Sequence, residues 1–193
     1  RTIKRRDPSR PSFWFISYRH PHPPLVPLPI YLNLYRQFLI DKPQSGQWTT
    51  EENCFAIQAN LSRGFDFYQQ ESAEEQIQLV RQAFYALCTH IDHQLRVLIG
   101  TLREESLLDN TVICFTSDHG DMLGNHGMWA KRLFYEYSAN IPMILVGTGG
   151  DDRVGVHQVD HRLVGWTDIM PTLLDLAGIS IPSTVEGLSM VGK

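Results

Sequence analysis

Only three cysteines occur in 193 residues, Cys54, Cys88 and Cys114, and no two of them stand at a CxxC spacing. That excludes a cysteine-rich zinc site and a disulfide-built scaffold, and three thiols cannot all pair. Cys114 falls inside an apolar run and Cys88 inside a helical pattern, so both read as buried free thiols. Long hydrophobic stretches are missing as well. No uninterrupted apolar run approaches the roughly 18 to 20 residues of a membrane span. No signal-peptide pattern opens the chain, which starts without Met and reads as the middle of a longer protein. Nor does one sign of charge dominate. Seventeen Lys and Arg against 21 Asp and Glu leave a formal charge of −4, which gives no general attraction to nucleic acid or to an anionic membrane surface. The basic run from Arg1 to Arg6 reads as a solvated tail or a cut edge.

What is present is the composition of an ordinary globular chain, 42% hydrophobic and 20% charged, and the expectation is one domain over residues 1–193. Three apolar, β-rich runs read as buried strands: Phe13–Tyr18, Val112–Phe115 and Ile141–Val146. Tyr31 to Ile40 reads as a short amphipathic helix. The capping box Ser72–Ala73–Glu74–Glu75 opens a longer one, in which Ile77, Val80, Phe84, Leu87, Ile91, Leu95, Leu98 and Leu102 recur at three- and four-residue steps as a stripe expected to lie along a sheet. Leu107–Thr111 is a turn into the second strand. A last helix runs from a Thr167 cap to a Gly178 stop. Strands alternating with helices predict an α/β fold, a three-layer α/β/α sandwich with a largely parallel central sheet.

The chemistry concentrates behind the second strand, in Asp118–His119–Gly120. Open α/β sheets keep their reactive groups where the chain leaves the sheet. Asp118 offers a hard anionic oxygen and His119 an imidazole nitrogen, a mixture suited to a divalent cation. Neighbouring side chains on a regular strand point to opposite faces, so both reach one ion only if the backbone turns, and Gly120 permits a turn. Taken alone, such a pair is more often a strand-end hydrogen bond, and two ligands do not complete a metal site. Asp92 and His93, beside the helical stripe, read as polar edge residues.

The wider segment TSDHGDMLGNHG, with Lys131 and Tyr135–Glu136 after it, resembles the TSDHGxxLGxHGxxxKxxxYE segment of the sulfatase family in the alkaline phosphatase superfamily. Further likenesses are Pro21–His22–Pro23–Pro24 to the family's PHxP, the long helix to YxAxxxxIDxxxGxLLxxL, Leu107–Leu108–Asp109–Asn110–Thr111 to most of GLxDNT, and Asp168–Gly178 to DIxPTLLDLAG. The resemblance covers residues 11 to 190 and implies an alkaline-phosphatase-like α/β fold, incomplete here because only the carboxyl-side portion of the catalytic domain is matched.

It implies a sulfuric ester hydrolase acting on a small-molecule or carbohydrate sulfate ester. Asp118 and His119 become ligands of one divalent cation, Ca2+ with Mn2+ or Mg2+ as alternatives. Lys131, twelve residues after His119, would offset charge shifting to the leaving oxygen. His22 would hydrogen-bond the ester or protonate the departing alkoxide. His126 would contact substrate or satisfy the glycine-rich loop, and residues 27–64 would wall the substrate pocket. His20 matches no family position and reads as surface.

The nucleophile segment CxPSR or SxPxR, matured to formylglycine, is expected upstream. Asp7–Pro8–Ser9–Arg10 does not replace it, because Arg6 stands at the cysteine's place. Three departures from the family pattern, Arg96 for glycine, Asn140 for arginine and Leu188 for arginine, keep open a catalytically inactive relative. A phosphonate monoester or phosphodiester hydrolase suits the same residues.

Overall fold

The computed structural model describes residues 2–44, 74–148 and 152–191. Cys54, Trp48, Phe55 and the Ser72 half of the expected capping box lie outside those residues, as does most of the interval assigned to the substrate wall. The described chain forms two compact units, one drawn from Arg1–Glu105 with His119–Asn140 and the other from Ser106–Asp118 with Ile141–Lys193.

The first unit is helical. Helix α1, Pro29–Tyr35, starts with proline at its first turn, where the missing amide costs nothing. Helix α2, Glu74–Glu104, runs 31 residues with two glutamates in the first turn and Arg103 in the last, as the helix dipole favours. Every residue of its predicted apolar stripe is buried or half-buried, and Arg96 faces solvent. Within this unit α2 packs on α1 and the residues that follow it. Tyr35 donates to or accepts from Thr89 at 2.5 Å and stacks on Tyr85 with ring centres 6.0 Å apart, and Gln78 brackets Ile40 through both its amide and its carbonyl. Ala83, Ala86, Leu87 and Leu102 are buried with Met122, Leu123 and Met128, which places the core of the unit around the carboxyl-side loop.

The segment Phe13–Tyr18 corrects the sequence reading. It is not a strand: Phe13 is 75% and Phe15 78% exposed, and no ladder forms there. Its alternation and β-rich composition are those of a strand, but a strand exists only by pairing, and no partner lies beside it among the described residues. His20 is another correction. It is half-buried, with its ring 6.0 Å from that of His90, where Tyr31 also stacks at 5.1 Å.

The second unit holds the described sheet. Strand β1, Ile113–Thr116, pairs with β2, Met143–Val146, in the register Ile113 to Val146 and Thr116 to Met143. The pair is antiparallel, so the expected parallel order is not what these two strands show. Helix α3, Ile169–Leu176, follows a single 3-10 turn at Trp166–Asp168. Its start is held by Asp168 and not by Thr167: the carboxylate accepts the Gly165 amide at 2.8 Å and the Leu188 amide at 2.9 Å, and both bonds hold its pKa below the ordinary value. Its end is a Schellman closure. Gly178 takes φ +68°, its amide reaches Asp175 O at 3.0 Å and the Ile179 amide reaches Leu174 O at 2.8 Å. Among the described residues no helix is long and apolar enough to cross a membrane.

Candidate active site

Asp118 closes the run that follows β1 and is exposed, with the Ser117 hydroxyl 3.5 Å from its carboxylate. The carbonyl just before it, that of Ser117, is pinned by the Trp166 indole N–H at 3.0 Å, an anchor that sequence reasoning did not assign to Trp166. His119, half-buried, opens the stretch belonging to the first unit. Its Nδ1 lies 2.7 Å from Gly120 O. A carbonyl only accepts, so Nδ1 carries the proton of the neutral ring and Nε2 keeps the lone pair. That is the tautomer a metal-binding histidine needs, with the second nitrogen held by a backbone acceptor. The donor types of Asp118 and His119 therefore fit a divalent cation. Two donors leave such an ion short of its usual six or more, and among the described residues no cluster of three or more His, Cys, Asp or Glu has the geometry to hold one.

Gly120 is required for a reason other than the one expected. Its φ is not positive. A side-chain carbon there would sit 2.1 Å from the Tyr137 carbonyl oxygen, and its amide donates to Ser138 O at 2.9 Å. Glycine is present because two backbones touch at that point.

From Asp121 the chain closes on itself. Met122 N donates to Ala130 O at 2.8 Å, Gly124 N to Met128 O at 2.9 Å, and the Asp121 carboxylate accepts the amides of Leu123 at 2.9 Å and Ala130 at 3.1 Å. Leu123, Gly124, His126, Gly127, Ala130 and Arg132 all take positive φ. Such a concentration of left-handed residues persists only where surrounding bonds over-determine it. Buried Asn125 supplies two of those bonds, accepting the Gln44 amide at 2.9 Å and donating to Met122 O at 2.7 Å. Arg81, 6% exposed on α2, supplies another by donating to Leu123 O at 2.8 Å. The pattern reading placed Arg81 on no site, and its only signal was a charge directly after the stripe residue Val80.

Lys131 leaves this closed loop half-buried. Lys131 and His119 both act on the Asp121 carboxylate, favouring its anion, while burial is the larger influence and raises its pKa above the ordinary value. The structure thus brings His119, Asp121 and Lys131 into one electrostatic neighbourhood, and Asp121 is a member that the sequence reading passed over. An acid two residues beyond the candidate ligand was the available signal. His126 packs its ring 5.4 Å from Tyr135 and 6.1 Å from Tyr137, and its amide donates to Gln44 O at 2.6 Å.

His22 is exposed in the proline turn. Its Nδ1 lies 2.8 Å from Pro23 O, so Nε2 holds its lone pair as in His119. Among the described residues, no hydrogen bond joins His22 to His119 or Lys131. Asp7 accepts the Ser9 amide at 2.9 Å and hydroxyl at 2.6 Å, an ordinary turn.

The profile of the family Sulfatase matches residues 1–179. Among curated proteins, an arylsulfatase of Clostridium perfringens is 36% identical over 188 residues, covering 97% of this chain and 38% of that protein. A choline-sulfatase of Rhizobium meliloti is 34% identical, covering 94% of this chain and 35% of that protein. Among solved structures, the phosphonate monoester hydrolase of Agrobacterium radiobacter superposes with a TM-score of 0.78 at 26% identity over 98% of this chain and 39% of its own. That of Silicibacter pomeroyi gives 0.76 at 29% over 88% and 34%. The chain belongs to the sulfatase family. It spans little more than a third of the length of these relatives.

Proposed function

We propose that the full-length protein is a sulfuric ester hydrolase of the arylsulfatase type. The observation that carries this reading is the Asp118–His119–Gly120 strand end followed by a closed loop that delivers Lys131 beside the same acid as His119. Sequence likeness to the arylsulfatase and the choline-sulfatase supports it. The family match across residues 1–179 supports one α/β/α catalytic domain.

In this reading Asp118 and His119 hold one divalent cation, taken as Ca2+, with the other ligands supplied by residues outside this pair. When bound, that ion would neutralise the ester's oxygens, and a formylglycine from an upstream segment would provide the nucleophile. The chain's own residues do the rest. Lys131 places an ammonium against an anionic ester in a partly dry setting, where charge moving onto the leaving oxygen is worth most to stabilise. His22, its Nδ1 proton engaged by Pro23 O, presents Nε2 to the solvent side. Protonated there, it gives that proton to the departing alkoxide. The backbone contact of Gly120 fixes His119 so that its ring does not have to reorganise during the reaction.

A second reading, phosphonate monoester hydrolase, is favoured by the likeness to the two solved hydrolases. Parallel assays of the full-length protein with 4-nitrophenyl sulfate and an aryl phosphonate monoester decide between the two. Faster turnover of the sulfate by at least about tenfold in kcat/KM supports the first reading, and the reverse preference replaces it with the second. Turnover of neither, in a protein whose upstream sequence carries no CxPSR or SxPxR segment, leaves an inactive relative.

A further inference from the structure

We infer that Asp121 is the positioning residue for Lys131, holding through the Ala130 amide the left-handed turn from which the lysine side chain departs. This rests on the proposed role of Lys131. The geometry is specific. Ala130 has φ +56°, a conformation disfavoured for any residue with a Cβ, and it immediately precedes Lys131. Two hydrogen bonds clamp it: its amide to the Asp121 carboxylate at 3.1 Å and its carbonyl from the Met122 amide at 2.8 Å. The same carboxylate oxygen takes the Leu123 amide at 2.9 Å, so one acid ties together both ends of the loop.

The Asp121 carboxylate is thus the shared acceptor for the Leu123 and Ala130 amides, and Ala130 is bonded directly to Lys131. The strained turn and the shared acid are costly as mere loop architecture, since an apolar closure would not need a partly buried carboxylate. Both features are accounted for if the loop's task is to aim one side chain.

The test compares Asp121→Leu, which keeps the bulk and removes the acceptor, with Asp121→Asn, which keeps an oxygen for the two amides. Each is made in the full-length protein. Turnover of 4-nitrophenyl sulfate is measured together with the rate of trace acetylation of Lys131 by acetic anhydride, normalised to exposed Lys4 and Lys42 and read by mass spectrometry.

For Asp121→Leu the expected result is a kcat lower by at least about tenfold with KM within about threefold, the loss that misplacement of a transition-state group brings. Lys131 acetylation should change at least about threefold, and Asp121→Asn should recover part of both. Lys131 acetylation at the wild-type rate in Asp121→Leu overturns the inference. If Asp121→Leu does not fold, Ala130 decides. Ala130→Gly adopts the left-handed turn freely and is expected to keep Lys131 acetylation near wild type, whereas Ala130→Val cannot and should shift it. Equal acetylation in those two variants also overturns it. A wild type inert toward sulfate esters, but with the acetylation shift present, upholds Asp121's role and refutes the sulfatase reading alone.

Discussion

Substituting Gly120 by alanine tests the contact on which the candidate site is mounted. The new carbon would lie 2.1 Å from the Tyr137 carbonyl oxygen and 3.0 Å from its carbon, whereas ordinary contact begins at 3.4 Å. Backbone atoms cannot rotate away, so the two segments must part by about 1.3 Å, the difference between 3.4 and 2.1 Å. The 2.9 Å bond from Gly120 N to Ser138 O would then stretch past 4 Å and fail. Overpacking costs about 1–3 kcal/mol and the lost bond about 1 kcal/mol. The stiffer unfolded chain returns at most about 1 kcal/mol. A net loss of about 1–3 kcal/mol remains, or a thermal midpoint lowered by roughly 3–10 °C for a domain of this size. Because His119 is the adjacent residue, the sulfate-ester turnover proposed for the full-length protein should fall at the same time. Scanning calorimetry and the aryl sulfate assay read both. A midpoint within 1 °C of wild type together with full activity would refute the close-packing argument.

Lys131→Ala is expected to lower kcat for an aryl sulfate by at least about tenfold, as for a lost contact to developing charge; unchanged kinetics would remove Lys131 from the site. Asp118→Asn should weaken metal retention, measured by elemental analysis after dialysis, and equal metal content in mutant and wild type would count against a ligand role. Burial pushes the Cys88 thiol from 9.0 up to about 11, so at pH 8 it carries about a hundredfold less thiolate than an ordinary cysteine. It should resist a disulfide reagent until the protein is unfolded, and labelling of native protein at the unfolded rate would contradict this. The depressed pKa of Asp168 gives the start of α3 a stabilisation that is present above the ordinary value of 3.8 and is lost as pH falls through the lower folded one. Amide shifts of Gly165 and Leu188 should titrate together there, and independent midpoints would break the link.

The sequence signals that survived are those whose cause is local. The stripe of α2 was legible because helical periodicity depends on spacing within one segment, and its residues are buried or half-buried as that spacing requires. The end of α3 was legible because a left-handed stop at Gly178 is a property of glycine itself. Its start was legible only in part: Asp168 takes the Gly165 amide three residues away, a local bond, but its other oxygen takes the Leu188 amide, twenty residues away. Phe13–Tyr18 shows the same limit more severely. A strand is defined by its neighbour, and nothing within those six residues specifies one.

The site divides along the same line. Asp118, His119 and Lys131 are candidates because the segment resembles the sulfatase pattern, whereas Asp121 and Arg81 acquire meaning only when the loop closes and brings Ala130 and Leu123 to them. Closure also changes what the glycines mean. Gly124 and Gly127 take the positive φ that a turn demands, while Gly120, the one read as the turn, is instead a point of backbone contact. Both demands select the same residue type, so a motif of spaced glycines cannot say which positions bend the chain and which let it touch itself. That difference is mechanistic: a bend could accept Asn with modest strain, whereas the contact under Gly120 accepts no side chain without moving the histidine beside it.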